Sequence, residues 1–277
     1  MKIFTKTDAL IQFRNGQQGV TIGFVPTMGA LHQGHLELIK KSLSENDFTY
    51  VSIFVNPLQF NDKKDFENYP ITTEQDIEAL KQIGVNALFL PNYDEVYKVG
   101  ITADEIDLSY LNTILEGPKR PGHFEGVVKV VSILFKIIRP HRAYFGLKDF
   151  QQVKVIQELV RQKKYPIQII EHPTIREFDG LAMSSRNRRL SEQGRQRAKR
   201  IYQWLLKARE MYKNGQGIYT ITDVIKKEIA EDKNFTLDYF EIRDADTLRE
   251  ITNAEQRAVA LIAVYLEGVR LIDNMEL

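Results

Sequence analysis

Short apolar runs typical of β-strands alternate with helical patterns over the first two-thirds of this sequence, and no other feature restricts the fold as much. The strand-like runs are residues 20–26, 49–55, 87–90, 143–145 and 167–171, and the helical patterns are residues 34–45, 73–83, 127–138 and 150–162. Strands that alternate with helices form βαβ units, which build a parallel sheet covered by helices on both faces. We therefore predict a Rossmann-like α/β domain over residues 1–176.

The pattern changes after residue 176. Residues 191–214 and 221–229 have helical spacing, and residues 237–243 and 257–265 alternate apolar and polar side chains as antiparallel strands do. Helices followed by strands indicate a separate small α+β domain. We predict that residues 177–277 form this second domain and that it acts as a lid.

Composition and charge exclude several classes of protein. The 277 residues are 43% hydrophobic and 27% charged, with a net charge of +1, so no global field attracts nucleic acid or an anionic membrane. Cysteine is absent, which excludes disulfides, thiolate nucleophiles and Cys-based metal sites. The most apolar run, residues 127–138, is far shorter than the roughly 20 residues needed to cross a bilayer. We expect a soluble, cytoplasmic protein that binds neither nucleic acid nor membrane.

The sequence PTMGALHQGH at residues 26–35 lies between a predicted buried strand and a predicted helix. Ligands of open α/β sheets bind at the carboxyl ends of the strands. Gly29 and Gly34 let the backbone approach a phosphate, and the helix N-terminus offers unpaired N–H groups. His32 and His35 flank Gly34, where their imidazoles can stabilise charge developing at a phosphorus atom. The alternatives are a surface turn with incidental histidines and a zinc site, and the absence of an obvious third ligand disfavours zinc.

Two further segments have the composition of ligand-binding loops. In VNPLQF, residues 55–60, Pro57 ends a strand and Gln59 offers donors and an acceptor that suit a polyhydroxy acid. A loop glutamine facing water is the alternative. The segment GPKRPGHFEG at residues 117–126 is rich in Gly and Pro, and we predict a shaped loop that either covers a nucleotide or merely connects two elements.

Two more segments combine cations with hydroxyl or amide groups. YFGLKDFQQ, residues 144–152, repeats the strand–glycine–helix arrangement, so Lys148 can pair with phosphate and Asp149 can hold magnesium or cap a helix. DGLAMSSR, residues 179–186, places two serines beside Arg186 as a phosphate clamp. The six basic residues between 187 and 200 make RNA binding an alternative, but no aromatic residue is interleaved among them, which favours a solvated helix face.

Together the five segments resemble the pantothenate synthetase (pantoate–β-alanine ligase) family. PTMGALHQGH, VNPLQF, RPGHFEGV, FGLKDFQQ and DGLAMSSRN occur in the family's order between residues 20 and 190. His-Gln-Gly-His is similar to the HIGH motif of the nucleotidyltransferase superfamily, and Met-Ser-Ser-Arg looks like the KMSKS loop of tRNA synthetases. After residue 190 the resemblance rests on position alone.

The resemblance implies an ATP-dependent ligase that condenses (R)-pantoate with β-alanine in two half-reactions. The carboxylate of pantoate attacks the α-phosphorus of ATP, giving pantoyl adenylate and pyrophosphate, and the amine of β-alanine then releases AMP and pantothenate. A carboxylate, with a pKa of about 4, is ionised at neutral pH. The first step therefore needs positioning and charge neutralisation rather than a general base.

The resemblance also implies roles for individual residues. The expected ATP contacts are Met28, Gly29, Ala30, Leu31, His32, Gln33, Gly34, His35, Gly146, Leu147, Lys148, Asp149, Ile175, Met183, Ser184, Ser185 and Arg186. The expected catalytic residues are His35, His32, Lys148 and Arg186. His35 would be the proton donor or the group that stabilises the leaving group. The expected substrate-binding residues are Gln59, Gln152 and Asn56, and Gln59 would also contact β-alanine.

Magnesium and a second copy of the chain are the remaining implied partners. Asp76 and Asp149 are the expected Mg²⁺ ligands, although residues 72–76 are also an ordinary acidic helix start. Members of the family are homodimers, so a homodimer is implied. Three other classes stay open on the residues alone: a nucleotidyltransferase that adenylylates a small phosphorylated substrate, a truncated tRNA-synthetase-like protein, and a nucleotide sensor without enzymatic activity.

Overall fold

The computed structural model of the protein describes residues 1–98, 100–253 and 255–277. Its strands are β1 (Lys2–Phe4), β2 (Ile22–Thr27), β3 (Phe48–Ile53), β4 (Ala87–Phe89), β5 (Arg142–Gly146), β6 (Gln168–His172), β7 (Phe235–Asp244), β8 (Ala258–Leu266) and β9 (Val269–Glu276). Its helices are α1 (Thr7–Asn15), α2 (Gln33–Glu45), α3 (Lys63–Glu67), α4 (Thr73–Gln82), α5 (Tyr93–Val96), α6 (Glu116–Lys119), α7 (His123–Ile138), α8 (Phe150–Lys163), α9 (Glu192–Ala198), α10 (Arg200–Lys213) and α11 (Ile218–Glu231).

Six parallel strands form the first sheet, in the order β1-β4-β3-β2-β5-β6. Successive side chains of a strand point to opposite faces, and β2 therefore contributes to two cores. Phe24 packs in a core that includes residues of α7 and α8, whereas Val25 packs in a core that includes residues of α2 and α4. Helices thus cover both faces, and the predicted Rossmann-like parallel sheet is confirmed.

The second sheet is antiparallel, in the order β7-β8-β9. Its central strand β8 is buried along almost its whole length. Apolar side chains of α10 and α11, Trp204 and Ile225 among them, pack in one core with Phe240 and Ile262 of the sheet. The predicted small C-terminal α+β fold is confirmed.

Several element boundaries differ from the prediction. The helix expected at residues 127–138 begins at His123, so the last part of the predicted loop at residues 117–126 is helical. The single helix expected at residues 191–214 is two helices, α9 and α10, separated at Lys199. The strands β1 and β9 and the helices α1, α3, α5 and α6 were not predicted. β1 has only three residues, too few for an alternating pattern to show.

Contacts divide the chain into two compact units. The first unit is Met1–Gly146 with Gln151–Pro173, and the second is Leu147–Phe150 with Thr174–Leu277. The segment Leu147–Phe150 therefore packs with the second unit, although it directly follows β5 in the chain. The domain boundary predicted after residue 176 stays a prediction. No helix in residues 1–98, 100–253 and 255–277 has both the length and the apolar character to cross a membrane.

Candidate active site

The first turn, residues 28–31, joins β2 to α2. Gly29 and Ala30 have φ angles of +79° and +49°, in the left-handed region that disfavours a residue with a Cβ. The carboxylate of Asp76 accepts hydrogen bonds from the N–H groups of Ala30, at 2.8 Å, and Leu31, at 2.9 Å. Asp76 is only 3% exposed. Its two oxygens thus anchor the turn with charge-assisted hydrogen bonds.

Most backbone amides of the first turn and of the start of α2 are already engaged. The residues whose N–H groups donate to protein acceptors are Gly29, Ala30, Leu31, His32, Gly34, His35 and Leu36. The prediction that unpaired amides cradle a phosphate here is therefore wrong for these groups. The N–H groups of Met28 and Gln33 do not belong to this set. The ATP contacts predicted for Met28, Gly29, Ala30, Leu31, Gln33 and Gly34 stay predictions.

His32 and His35 lie at the N-terminus of α2 with their ring centroids 4.1 Å apart. Nδ1 of His32 accepts from the N–H of Gly34 at 3.1 Å, and Nδ1 of His35 accepts from the N–H of His32 at 3.4 Å. A nitrogen that accepts from an amide carries no proton, so each neutral ring has its proton on Nε2. Protonation of Nδ1 would break the cap and add positive charge at the positive end of the helix dipole. The two hydrogen bonds therefore favour, for each neutral ring, the tautomer that carries its proton on Nε2.

Gln59 ends a 3₁₀ turn, Pro57–Gln59, that follows β3. Its Nε2 donates to Sδ of Met28 at 2.9 Å, and its Oε1 accepts from Nδ2 of Asn56 at 3.2 Å. The side chain is only 8% exposed. The turns that follow the adjacent strands β2 and β3 are therefore in contact, as ligand-binding segments at the carboxyl ends of parallel strands should be.

The buried side chain of Asn56 supports the turn that carries Gln59. Its Oδ1 accepts from the hydroxyl of Tyr97 at 2.8 Å and from the N–H of Leu58 at 3.2 Å. Its Nδ2 also donates to the carbonyl of Gly126 at 3.1 Å. Burial raises the pKa of the Tyr97 hydroxyl, so this group stays a protonated donor. The geometry makes Asn56 a positioning group, and its predicted contact with substrate stays a prediction.

His123 holds the backbone of Gln59. Its Nδ1 lies 2.7 Å from the carbonyl oxygen of Gln59, and its Nε2 lies 3.0 Å from Nη1 of Arg120. A carbonyl can only accept, so Nδ1 donates to it and Nε2 accepts from the guanidinium group. Arg120 also lies 3.7 Å from the carboxylate of the buried Glu116. The segment at residues 117–126 is thus a packed support for Gln59.

Gln151 and Gln152, at the start of α8, differ in their partners. Oε1 of Gln151 accepts from the N–H of Glu116 at 2.9 Å. Its Nε2 donates to the carbonyls of Leu111, at 2.7 Å, and Ile114, at 3.1 Å. The side chain of Gln152 is half-buried and makes no hydrogen bond within the described part of the chain. Its donors and acceptor suit a ligand, and its predicted role in pantoate binding stays a prediction.

The second turn, Leu147–Asp149, follows β5 and belongs to the second unit. Nδ2 of Asn274, on β9, donates to the carbonyl oxygens of Leu147 at 2.7 Å and Lys148 at 3.0 Å. Nζ of Lys148 lies 3.9 Å from Oδ1 of Asp149. A strand near the C-terminus therefore holds the turn that carries the predicted catalytic lysine.

Asp273, the neighbour of Asn274 on β9, forms an ion pair with Arg176. Arg176 donates from Nη1 to Oδ2 of Asp273 at 2.6 Å and from Nη2 to Oδ1 at 3.0 Å. The guanidinium of Arg176 also lies over the ring of Tyr202, 4.6 Å from its centroid. Burial raises the pKa of Asp273, whereas the hydrogen bonds and charge of Arg176 oppose the rise. Because the pair is bidentate, it fixes the orientation of this part of β9.

The predicted phosphate clamp is a short ordered feature of the second unit. The N–H of Met183 donates to the carbonyl of Ile175 at 3.0 Å. Ser184 caps the 3₁₀ helix Ser185–Arg189, with its hydroxyl oxygen accepting from the N–H of Arg186 at 3.3 Å. The structure thus joins Ile175 to the Met-Ser-Ser-Arg segment, and the ATP contacts of these residues stay predictions.

The two aspartates predicted to bind magnesium, Asp76 and Asp149, differ in how well they fit that role. Within the described ranges, 1–98, 100–253 and 255–277, no group of three or more His, Cys, Asp or Glu could hold a metal ion. Mg²⁺ is often bound by one or two carboxylates together with substrate phosphates. The side chain of Asp149 is 50% exposed and fits such a role. Both oxygens of Asp76 already accept N–H groups, so Asp76 fits it poorly.

Four supporting residues have roles that were not predicted from the sequence: Tyr97, His123, Asp273 and Asn274. His123 lies inside RPGHFEGV, so that motif was the available signal for it. Tyr97 and Asn274 have no local signal, because their partners are 41 and 126–127 residues away in the chain. Only the fold brings such pairs together.

Comparisons with known proteins agree with this architecture. The family model described as pantoate-beta-alanine ligase matches residues 2–276. A pantothenate synthetase of Cytophaga hutchinsonii is 50% identical over 260 residues, which are 92% of this chain and 91% of the relative. A pantothenate synthetase of Bacteroides fragilis is 46% identical over 266 residues, which are 94% and 92% of the two chains.

Two solved structures are similar over the whole chain. The crystal structure of pantothenate synthetase from Thermus thermophilus has a TM-score of 0.93 and 38% sequence identity, and covers 100% of this chain and 99% of that one. The crystal structure of a pantoate-beta-alanine ligase from Francisella tularensis, complexed with beta-gamma ATP and beta-alanine, has a TM-score of 0.81 and 37% identity. It covers 100% of this chain and 97% of that one.

Proposed function

Because this chain belongs to the pantoate–β-alanine ligase family and is an ATP-dependent ligase of pantoate and β-alanine, we propose that it acts through an acyl adenylate formed by side-chain recognition of two anions. One observation carries the proposal: His32 and His35 are hydrogen-bonded where β2 meets α2 so that each ring, when neutral, donates from Nε2. The backbone amides of these two histidines are engaged, so their imidazoles are the groups through which they address a phosphate. A nucleotidyltransferase acting on a small phosphorylated substrate is not favoured, since the family and its relatives are pantoate ligases.

In the first half-reaction the carboxylate of pantoate attacks the α-phosphorus of ATP. Both reactants are anionic, so the barrier falls when fixed donors and cations neutralise the charge that develops on the phosphoryl oxygens and on pyrophosphate. His32 and His35 supply N–H donors, and Lys148 and Arg186 supply positive charge. His35 stabilises the leaving group as a hydrogen-bond donor, because its neutral Nε2–H tautomer makes it a poor proton donor.

Pantoate is held by amide side chains. Gln59 and Gln152 offer donors and acceptors that match a carboxylate and hydroxyl groups. Gln59 is oriented by Met28, Asn56 and the His123 contact to its backbone. A side chain held in place before binding loses little conformational entropy when the ligand arrives. The amine of β-alanine then attacks the acyl carbon, and AMP leaves.

Magnesium binding is proposed for Asp149, with Asp76 as the weaker candidate. The ion supplies charge neutralisation at the phosphates of ATP when bound. Asp149 is exposed beside Lys148, whereas Asp76 is buried and engaged by the first turn. We propose that Asp76 serves the turn and that the remaining magnesium contacts come from the substrate.

The test is exchange of labelled pyrophosphate into ATP by the purified protein. Exchange should require pantoate and proceed without β-alanine, because the first half-reaction is complete before the amine enters. Exchange that needs β-alanine, or that a phosphate monoester supports as well as pantoate does, contradicts the adenylate proposal.

The remaining proposals concern the whole chain. We propose a catalytic ATP- and pantoate-binding domain at residues 1–176, a lid domain at residues 177–277, a homodimer, and a cytoplasmic location. Small-angle scattering with and without ATP tests the lid, and an unchanged radius of gyration contradicts it. Light scattering at micromolar concentration tests the dimer, and cell fractionation tests the location.

A further inference from the structure

We propose that Asn274 is a positioning residue for the reaction, which sets the place of Lys148 by holding the two carbonyls of the second turn. The inference rests on the proposed role of Lys148 in ATP binding. It assigns a function to the C-terminal strand, where no motif was recognised in the sequence.

The geometry of the contact uses the whole donor capacity of the carboxamide. The amide NH₂ of Asn274 has two N–H donors, and it reaches the carbonyl oxygens of Leu147 at 2.7 Å and Lys148 at 3.0 Å. Asn274 is only 7% exposed. A partly buried carbonyl that loses its donor is destabilised, so removing this side chain weakens the hold on the conformation of the turn.

The backbone of Asn274 is itself fixed. Its N–H donates to Oδ1 of Asp273 at 2.7 Å, and its carbonyl accepts from Nη2 of Arg176 at 3.0 Å. Arg176 also makes the bidentate pair with Asp273 and donates from Nη1 to the carbonyl of Gly180 at 3.0 Å. The carboxamide therefore projects from a rigid point toward the second turn.

The position of Lys148 has a direct energetic consequence. The attraction between an ammonium group and a phosphoryl oxygen depends on their separation, and a displacement of about 1 Å near the reacting atoms can cost on the order of a hundredfold in rate. Asn274 fixes the backbone of the turn and thereby the point from which the Lys148 side chain extends.

The first test compares Asn274→Ala and Asn274→Asp with Asn253→Asp. A carboxylate cannot donate to either carbonyl, so Asn274→Asp should be the more damaging of the two changes at this position. Asn253→Asp is the matched control, because Asn253 is exposed and its side chain only accepts a hydrogen bond, from the N–H of Glu255. The control should retain wild-type constants.

We expect the two Asn274 variants to raise the KM for ATP and to slow pantoate-dependent exchange by about tenfold or more. The KM for β-alanine should stay unchanged. A KM does not depend on how much of the enzyme is folded, so loss of stability alone cannot produce this pattern. Equal KM values for ATP in wild-type and variant enzymes overturn the proposal.

The second test combines Asn274→Ala with Lys148→Ala. If Asn274 acts through Lys148, the double variant should be no slower in exchange than Lys148→Ala by itself. Effects that multiply in the double variant overturn the positioning role while leaving the role of Lys148 intact. If Lys148→Ala exchanges at the wild-type rate, the proposed role of Lys148 falls, and the inference about Asn274 falls with it.

Discussion

The turn that precedes the candidate catalytic histidines and the turn that carries the candidate catalytic lysine are anchored in opposite ways. In the first turn a carboxylate, Asp76, accepts from two backbone N–H groups, whereas in the second turn a carboxamide, Asn274, donates to two backbone carbonyls. Asp76 lies 45–46 residues after the two residues whose N–H groups it accepts. Asn274 lies 126–127 residues after the two residues to whose carbonyls it donates.

The two turns differ in how far along the chain their anchors lie. The first turn is held by Asp76 on α4, within the parallel-sheet unit. The second turn is held by Asn274 on β9, within the second unit. The anchor of the turn before the histidines is therefore closer in the sequence than the anchor of the turn that carries the lysine.

The largest expected effect comes from removing His35, a candidate donor to the reacting groups in the first turn of helix α2. His35→Ala should slow pantoate-dependent exchange by about a hundredfold to a thousandfold, the usual cost of one preorganised donor to developing charge. Circular dichroism should show an unchanged fold. His141→Ala is the matched control: His141 precedes β5 and its Nδ1 accepts from the N–H of Ile22, at the amino ends of the strands. A normal rate of exchange by the His35 variant would show that His35 has no part in the mechanism.

The next effect concerns the anchor of the first turn. Asp76→Asn replaces one acceptor oxygen with an NH₂ group that faces a buried N–H, and it should lower the free energy of unfolding by about 3 kcal/mol. Urea unfolding measures this. Glu74→Gln, in the exposed first turn of the same helix, removes the same charge and should cost under about 0.5 kcal/mol.

The same variant distinguishes the anchor from a magnesium ligand. An anchor role predicts lost stability without any added metal. A ligand role predicts wild-type stability and a higher Mg²⁺ concentration for half-maximal activity. The outcome expected of a magnesium ligand would show that Asp76 does not anchor the first turn in the way that Asn274 anchors the second.

A smaller effect is expected at the substrate amide beside the first turn. Gln59→Ala should raise the KM for pantoate about tenfold, the equivalent of one or two lost hydrogen bonds, with little change in the KM for ATP. Steady-state kinetics with each substrate varied separately measures the two constants. An equal rise in both would mean that Gln59 supports the first turn through Met28 rather than binding pantoate.

The smallest effect tests the support of Gln59. Tyr97→Phe removes the hydroxyl that donates to Oδ1 of Asn56 and keeps the ring, so it should cost about 1 kcal/mol of stability. The KM for pantoate should rise by no more than about threefold, because Leu58 and Gly126 still hold Asn56. Tyr93→Phe, at an exposed tyrosine, is the control. A larger rise for Tyr97→Phe than for Gln59→Ala would contradict the proposed order.

The sequence by itself determined the parallel α/β fold, the small C-terminal α+β fold and the segments that carry the chemistry. Alternating strand and helix patterns are local and are repeated over many residues. The prediction of the fold therefore does not depend on the correct interpretation of any single position. The motifs around His35, Gln59, Lys148 and Arg186 are each a continuous segment of the chain. Such a segment can be recognised directly in the sequence.

Tertiary structure alone decided which groups are engaged and which remain for a ligand. Asp76 has the position of an acidic helix start in the sequence, yet it is the buried anchor of a turn in another part of the sheet. Gln151 and Gln152 are neighbours of the same type, and only packing makes the first structural. Hydrogen bonds between residues tens of positions apart depend on the whole fold, because no local pattern encodes the distance between their partners.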